Sequence, residues 1–306
     1  MEVRKGQRTA TILRKLQAEG IIRDEYVPLI YMKVVRYGDS LKAGVYEFTK
    51  PISAADALEK IIRGEVVAKS VTIREGLDRF AVARLFVAEG FGRAKDWDAL
   101  TADPELIHDL APEATSLEGY LFPDTYKFNP GTPPKTIIAA MVQNFRKHFG
   151  GEMAYIATGL NLHETVTLAS IVETEARLPQ ERPLVASVYL NRYRKNMLLG
   201  ADPTVIYALK LAGRWDGNIH KGDLLLDSPY NTYRKHGLPP GPIANPGVAS
   251  LRAAAAPVSS QFLYFVAKHD GSHAFSTTLE EHNRNVELYQ RQWFRDQRAA
   301  AAAASR

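Results

Sequence analysis

The chain has 306 residues, 45% hydrophobic and 24% charged, the make-up of an ordinary globular protein with room for a sizeable core and, at about 150 residues each, two domains. Its lack of cysteine excludes disulfides, thiolate catalysis and zinc–thiolate sites, and no apolar run approaches the ~18 residues of a membrane span, so the chain as given reads as soluble. The net charge of +5 is uneven: residues 1–70 hold 13 Lys and Arg against 9 Asp and Glu, a basic front end suited to an acidic polymer or anionic headgroups and equally to a solvated surface.

Ile12, Leu13 and Leu16 recur at helical spacing over residues 9–19, and Gly20 supplies the left-handed stop. Asp24 offers a cap for a helix through Met32, and "GVYEF" at 44–48 alternates as a strand. Ser53 with Asp56 resembles a capping box opening a helix to Arg63, closed by Gly64, and "VVAKSVTI" reads as a further strand. These elements predict a small α+β module ending near residue 70. Asp78–Glu89 then reads as an amphipathic helix, with Gly90 after it.

Further helices are predicted over 134–149, 163–176, 181–196 and 203–212. Residues 228–247, "SPYNTYRKHGLPPGPIANPG", hold five prolines and three glycines, too many for a regular element and too varied for a flexible linker, which predicts an ordered loop. "FLYFVAKHDGSHAFSTT" is a hairpin signal around Asp270–Gly271, and Leu279–Gln297 a final helix, before a tail with six alanines at 299–304. The whole predicts an α+β chain: a small α+β module over 1–70 and a larger mixed α+β domain over 71–306.

Most of the chemistry is suggested by carboxylates. "SLEGYLFPDTYKF" at 116–128 sets Glu118 among Leu117, Tyr120, Leu121 and Phe122, with no Lys or Arg nearer than Lys127. Such surroundings favour the protonated carboxyl, which is what a general acid requires, glycoside cleavage being the commonest use. Gly119 and Pro123 argue against helix, and an extended run over 118–122 would put Glu118, Tyr120 and Phe122 on one face. Asp124 is less firmly tied to that face. Aromatic faces bury the apolar faces of sugars, so the segment suits a glycan; a surface glutamate beside a core strand is the plainer alternative.

"LASIVETEA" at 168–176 lies on a helix apolar almost all round, hence buried. Glu173 and Glu175 fall near its C-terminus, where the helix dipole disfavours negative charge, so they need partners. Arg177, Arg182 and Arg192 are candidates, in a structural network or in a site. A second catalytic carboxylate would come from here or from Asp202 in "GADPTV". Tyr230, Asn231 and Tyr233 of the proline-rich loop are candidate sugar contacts. "HETVT" at 163–167 has Thr167 where a zinc helix needs its second histidine, and His269 and His273 lack a third ligand, so no metal is expected. GxGxxG, Walker and GxSxG motifs are absent, which leaves nucleotide chemistry and serine hydrolysis unsupported; neither cofactor nor nucleic-acid partner is expected.

Taken together, "LEGYLFPDTY", "LASIVETEA", "DPTVIYAL", "SPYNTYRKHGLPPGPIANPG" and "YFVAKHDGSHAFSTTLEEHN" resemble the endolytic murein transglycosylase family, also called MltG or YceG-like, in order and spacing over 70–290. Residues 1–70, with "LKAGVYEF", resemble its LysM-like module more loosely. The resemblance implies a lytic enzyme that cuts nascent peptidoglycan strands between N-acetylmuramic acid and N-acetylglucosamine, leaving 1,6-anhydromuramic ends. It carries the catalytic role to Glu118 as single acid and then base, the sugar's own C6 hydroxyl replacing water. It also implies a location on the outer, periplasmic face of the cytoplasmic membrane, through an N-terminal anchor that this chain lacks, and a partnership with cell-wall synthases. The rival readings are a muramidase using water with Glu118 and Glu173 or Asp202, a non-catalytic peptidoglycan-binding scaffold and, more distantly, a metal-dependent hydrolase.

Overall fold

The computed structural model describes residues 1–4, 6–23, 41–149, 157–293 and 295. The chain divides into two compact units, one made of Met1–Val71, Ala88–Gly92 and Thr125–Pro133, the other of Thr72–Val87, Arg93–Asp124 and Pro134–Arg306. The expected boundary near residue 70 falls beside the first break, but the smaller unit also takes in two later segments. Among the described residues there are ten α-helices and three two-stranded sheets, a mixed α+β fold. None of these helices is long and apolar enough to cross a membrane. The expected helix over 24–32 and the alanine tail lie outside the described residues.

In the smaller unit, β1 (Glu2–Val3) pairs antiparallel with β2 (Gly44–Val45), the only part of "GVYEF" that is strand. Helices α1 (Thr9–Ala18) and α2 (Ala54–Arg63) bury Ile12, Leu13, Leu16, Leu58 and Ile61 around Tyr46. The Tyr46 hydroxyl satisfies itself on the carbonyls of Lys42 (2.7 Å) and Ile61 (3.2 Å), as a buried phenol must. Ser53 caps α2 by accepting the Asp56 amide at 3.1 Å and donating its hydroxyl to the Asp56 carboxylate at 2.6 Å. A second sheet joins β3 (Lys69–Thr72) to β4 (Thr125–Phe128).

The larger unit is helical. Helix α3 (Arg79–Ala88) starts at Asp78, whose carboxylate accepts the Ala81 amide at 2.7 Å, and α4 (Ala94–Ala102) follows. After α5 (Pro134–Phe149) comes α6 (Leu162–Glu175), opened by a full capping box between Asn161 and Glu164. Every residue from Thr165 to Val172 is buried, as the near-continuous apolar pattern requires. Helix α6 packs against α7 (Arg182–Arg194), α8 (Asp202–Leu211) and α9 (Val248–Ala255). The hairpin pairs β5 (Tyr264–Ala267) with β6 (His273–Ser276), Phe265 facing Phe275, and α10 (Leu279–Val286) ends the regular helix before a π-type turn over Glu287–Gln292.

Three expectations need correction. Residues 118–122 are not extended: Tyr120 N–H closes a turn on Leu117 O at 3.1 Å, and Gly119 takes a left-handed φ of 87°. A Cβ at Gly119 would lie 2.5 Å from Pro242 and 2.9 Å from Val166, so the position needs glycine for both φ and space. The strand begins only at Thr125. Helices α4 and α9 were not anticipated, α9 because its alanines carry no amphipathic period, being buried almost throughout. The final helix, read as Leu279–Gln297, is α-helical over Leu279–Val286 and turns π-helical over Glu287–Gln292.

Residues 241–247 of the proline-rich loop are buried, the ordered path its composition predicts. A buried loop must satisfy its backbone from outside, and Ile243 N–H does so on Ser170 Oγ of α6 at 3.0 Å.

Candidate active site

Glu118 is sealed. Only 1% of it is exposed, and both carboxylate oxygens accept the Arg79 amide at 3.0 Å, at the first turn of α3. Asn245 Nδ2 donates to it at 3.2 Å and to Leu77 O at 2.8 Å, while Asn245 Oδ1 accepts the Leu121 amide at 2.9 Å. Tyr207 of α8 also hydrogen-bonds to the carboxyl. Burial pushes Glu118 up to about 8, with the Asp78 carboxylate adding to the rise; the Arg79 amide, Tyr207 and the Arg79 charge oppose it. The raised proton affinity expected of this segment is present.

Tyr120 and Phe122 turn inward as well. The Tyr120 hydroxyl is 2.7 Å from His163 Nδ1, and His163 Nε2 is 2.8 Å from Pro240 O. Since that carbonyl can only accept, Nε2 carries the proton and Nδ1 accepts from the tyrosine. Phe122 stacks on His148 at 4.6 Å. Asp124 is exposed and accepts from Asn144 Nδ2 at 2.8 Å. Asn231 is fully buried, its amide on the carbonyls of Leu224 and Leu226 and its oxygen on the Tyr233 amide, an internal pin for the loop.

The two glutamates at the end of α6 part company. Glu173 accepts from Arg182 at 2.8 Å and from the Gly247 amide at 3.0 Å, the latter at the N-terminus of α9. Arg182 also reaches Glu75 at 3.5 Å, and Glu75 lies so close to Gly247 that a Cβ there would sit 1.7 Å from its carboxylate. Burial, then the neighbouring Glu173, push Glu75 up. This is an ion-pair network tying α6, α7 and α9 together.

Glu175, the last residue of α6, is half-buried and joins a different group. Tyr189 Oη donates to it at 3.2 Å. Asp202, exposed at the first position of α8, accepts from Tyr233 Oη at 2.6 Å. Arg192 stands between, held by the Leu263 and Leu199 carbonyls at 2.6 Å each and 5.0 Å from the centre of the Tyr264 ring. Burial pushes Glu175 up to about 7, and the Asp202 carboxylate raises it further; Tyr189 and Arg192 pull the other way. The helix C-terminus also disfavours its charge. Tyr233 is 36% exposed, so this group opens to solvent.

Glu175, Asp202 and Tyr233 form one group, while Glu118, Tyr120, Phe122 and Glu173 are held by other partners and Asn231 pins the loop. Tyr230 is half-buried against Tyr207, ring centres 5.0 Å apart. Tyr189 and Tyr207 were missed, although Tyr189 stands three residues before Arg192 on α7, a spacing that shares a helix face.

A mixed α+β protein whose larger unit carries a carboxylate and tyrosine site, with a proton held near neutrality, is the class that fold and site define. The chain belongs to the YceG-like family, matching it over residues 1–288. It is 34% identical over 303 residues to the endolytic murein transglycosylase of Bacillus subtilis (strain 168), covering 93% of this chain and 82% of that protein. With the endolytic murein transglycosylase of Streptococcus pneumoniae serotype 2 it shares 30% identity over 314 residues, 92% of this chain but 56% of that longer protein. The crystal structure of a YceG-like protein from Listeria monocytogenes superposes with a TM-score of 0.65 at 33% identity, covering 92% of this chain and 97% of that one.

Proposed function

We propose that this chain is a lytic transglycosylase of peptidoglycan glycan strands in which Glu118 is the acid and then the base. The names of its relatives support the reaction class and the substrate. The observation that supports the residue assignment is a buried carboxyl pushed up to about 8, held by the Arg79 amide and Asn245 at the start of α3. A proton retained near neutrality is what a general acid requires.

In the reaction, protonated Glu118 gives its proton to the oxygen bridging N-acetylmuramic acid and N-acetylglucosamine as that bond breaks through an oxocarbenium-like state. The resulting carboxylate takes the proton from the muramic C6 hydroxyl, whose oxygen closes onto C1 to form the 1,6-anhydro ring. One residue serves twice and no water is consumed. Intramolecular attack carries an effective molarity that can reach about 10⁵ M or more, so the site need not be dry for ring closure to outrun hydrolysis. The smaller unit, LysM-like by resemblance, would hold the strand, with the enzyme working on the outer face of the cytoplasmic membrane beside cell-wall synthases.

The Asp202 carboxylate favours one second reading, a muramidase in which it activates water. Mass spectrometry of purified glycan strands after digestion separates the two. Anhydro ends support transglycosylation, and fragments one water heavier mean hydrolysis. Glu118→Gln should abolish cutting, and a variant that still cuts would end the assignment. Strands retained but left intact by the unmutated protein would identify a binding scaffold instead.

A further inference from the structure

We propose that His163, the second residue of α6, is a positioning residue for the reaction at Glu118, holding the loop that presents Asn245 to the acid; this rests on the assignment of Glu118 above. The ring is buried between two segments far apart in sequence. On one side Tyr120, two residues after Glu118, has its hydroxyl 2.7 Å from Nδ1. On the other, the carbonyl of Pro240, five residues before Asn245, lies 2.8 Å from Nε2. The loop runs close against the imidazole, for a Cβ at Gly241 would come within 3.3 Å of it, tighter than ordinary van der Waals contact.

From Pro240 the loop is held again before it reaches the acid. Ile243 N–H donates to Ser170 Oγ at 3.0 Å, and Ser170 stands two turns after His163 on the same face of α6. Asn245 then donates to Leu77 O at 2.8 Å and to Glu118 at 3.2 Å, and accepts the Leu121 amide at 2.9 Å. The bond to Glu118 is the longest of the three, so a slip of the loop breaks it first. The two imidazole nitrogens have different tasks: Nε2–H holds Pro240 O, and the Tyr120 hydroxyl, by donating to Nδ1, fixes that tautomer. Tyr120 and, across Gly241, the Tyr230 hydroxyl are the titratable groups beside the ring, with Glu113 acting on Tyr120. Those facing Glu118 are Asp78 and Arg79 at the start of α3, Tyr207 on α8 and Tyr230 in the loop.

This role has a signature that mere stabilisation lacks. A hydrogen bond to an ionised carboxyl lowers its proton affinity, so losing Asn245 lets Glu118 keep its proton to higher pH. Glutamine carries an N–H near the place of Nε2, whereas asparagine has an acceptor near that of Nδ1 and is too short for Pro240. The test is the pH profile of glycan-strand cleavage by the full chain and its His163→Gln and His163→Asn variants, with melting temperatures alongside. His163→Asn should lower kcat about tenfold with KM little changed and move the high-pH limb up by about half a unit; His163→Gln should keep kcat within about threefold and the limb in place. Ser170→Ala, a smaller change that frees Ile243, should move the limb in the same direction and keeps the test open if His163→Asn does not fold. Adding His163→Asn to Asn245→Ala should bring no shift beyond that of Asn245→Ala alone, because both act on one contact. Equal losses in the two His163 variants would overturn the proposal, as would additive shifts or a lower melting temperature with an unmoved limb. The underlying assignment fails separately: if Glu118→Gln still cuts, Glu118 is not the acid, whatever the His163 variants do, and this proposal falls with it.

Discussion

Two carboxyl groups of the larger unit hold their protons to unusually high pH, Glu118 to about 8 and Glu175 to about 7, in opposite surroundings. Glu118 sits in a closed pocket at a helix N-terminus, ringed by donors that favour its charge, and burial alone outweighs them. Glu175 sits at a helix C-terminus, half-open, where burial is reinforced by a neighbouring carboxylate and the dipole. Proton retention and exposure are thus separate properties: the more perturbed carboxyl is the more deeply buried one.

The sharpest break in this comparison is Glu118→Gln, for which turnover on glycan strands should fall about 10³-fold or more while strands are still bound. Next, Gly119→Ala should cost about 2–5 kcal/mol of stability, from the left-handed backbone and the push on Pro242, measured by denaturant unfolding. Glu175→Gln should lower turnover far less than Glu118→Gln, and equal losses would erase the distinction between the two carboxyls.

A smaller effect concerns pH. Glu118 has its folded-state affinity raised above the ordinary 4.5, so the folded state binds more protons between 4.5 and about 8. Its contribution to stability is full below the lower value and is lost as pH rises through the upper one. Melting temperature should decline over that range, and the decline should flatten in Glu118→Gln; an identical slope would contradict the burial of a proton at this position. The mildest expected change is in Asp202→Asn, which should lower the pH at which Glu175 loses its proton, followed by NMR titration of that carboxyl. An unmoved titration would detach Asp202 from Glu175.

Much of the fold was legible along the chain. The helix over 162–175 announced itself by an unbroken apolar run, the cap of α2 by Ser53 and Asp56, and the hairpin by Asp270–Gly271 between aromatic strands. The turn at Gly119 was harder, because the glycine is demanded by Pro242, a residue more than a hundred positions away. Of the site, the motif "LASIVETEA" drew attention to Glu173 and Glu175 without separating them. Two residues apart near a helix end, they face different neighbours, Arg182 and Gly247 for one, Tyr189 and Asp202 for the other.

The sequence by itself located most of the helices, the ordered proline-rich loop and the candidate carboxylates, because periodicity, turn residues and charge are local properties. Tertiary structure alone decided which carboxylate is open and which is sealed. Exposure and proton affinity depend on atoms brought from α3, α7, α8 and the loop together, and no pattern within a dozen residues encodes that sum.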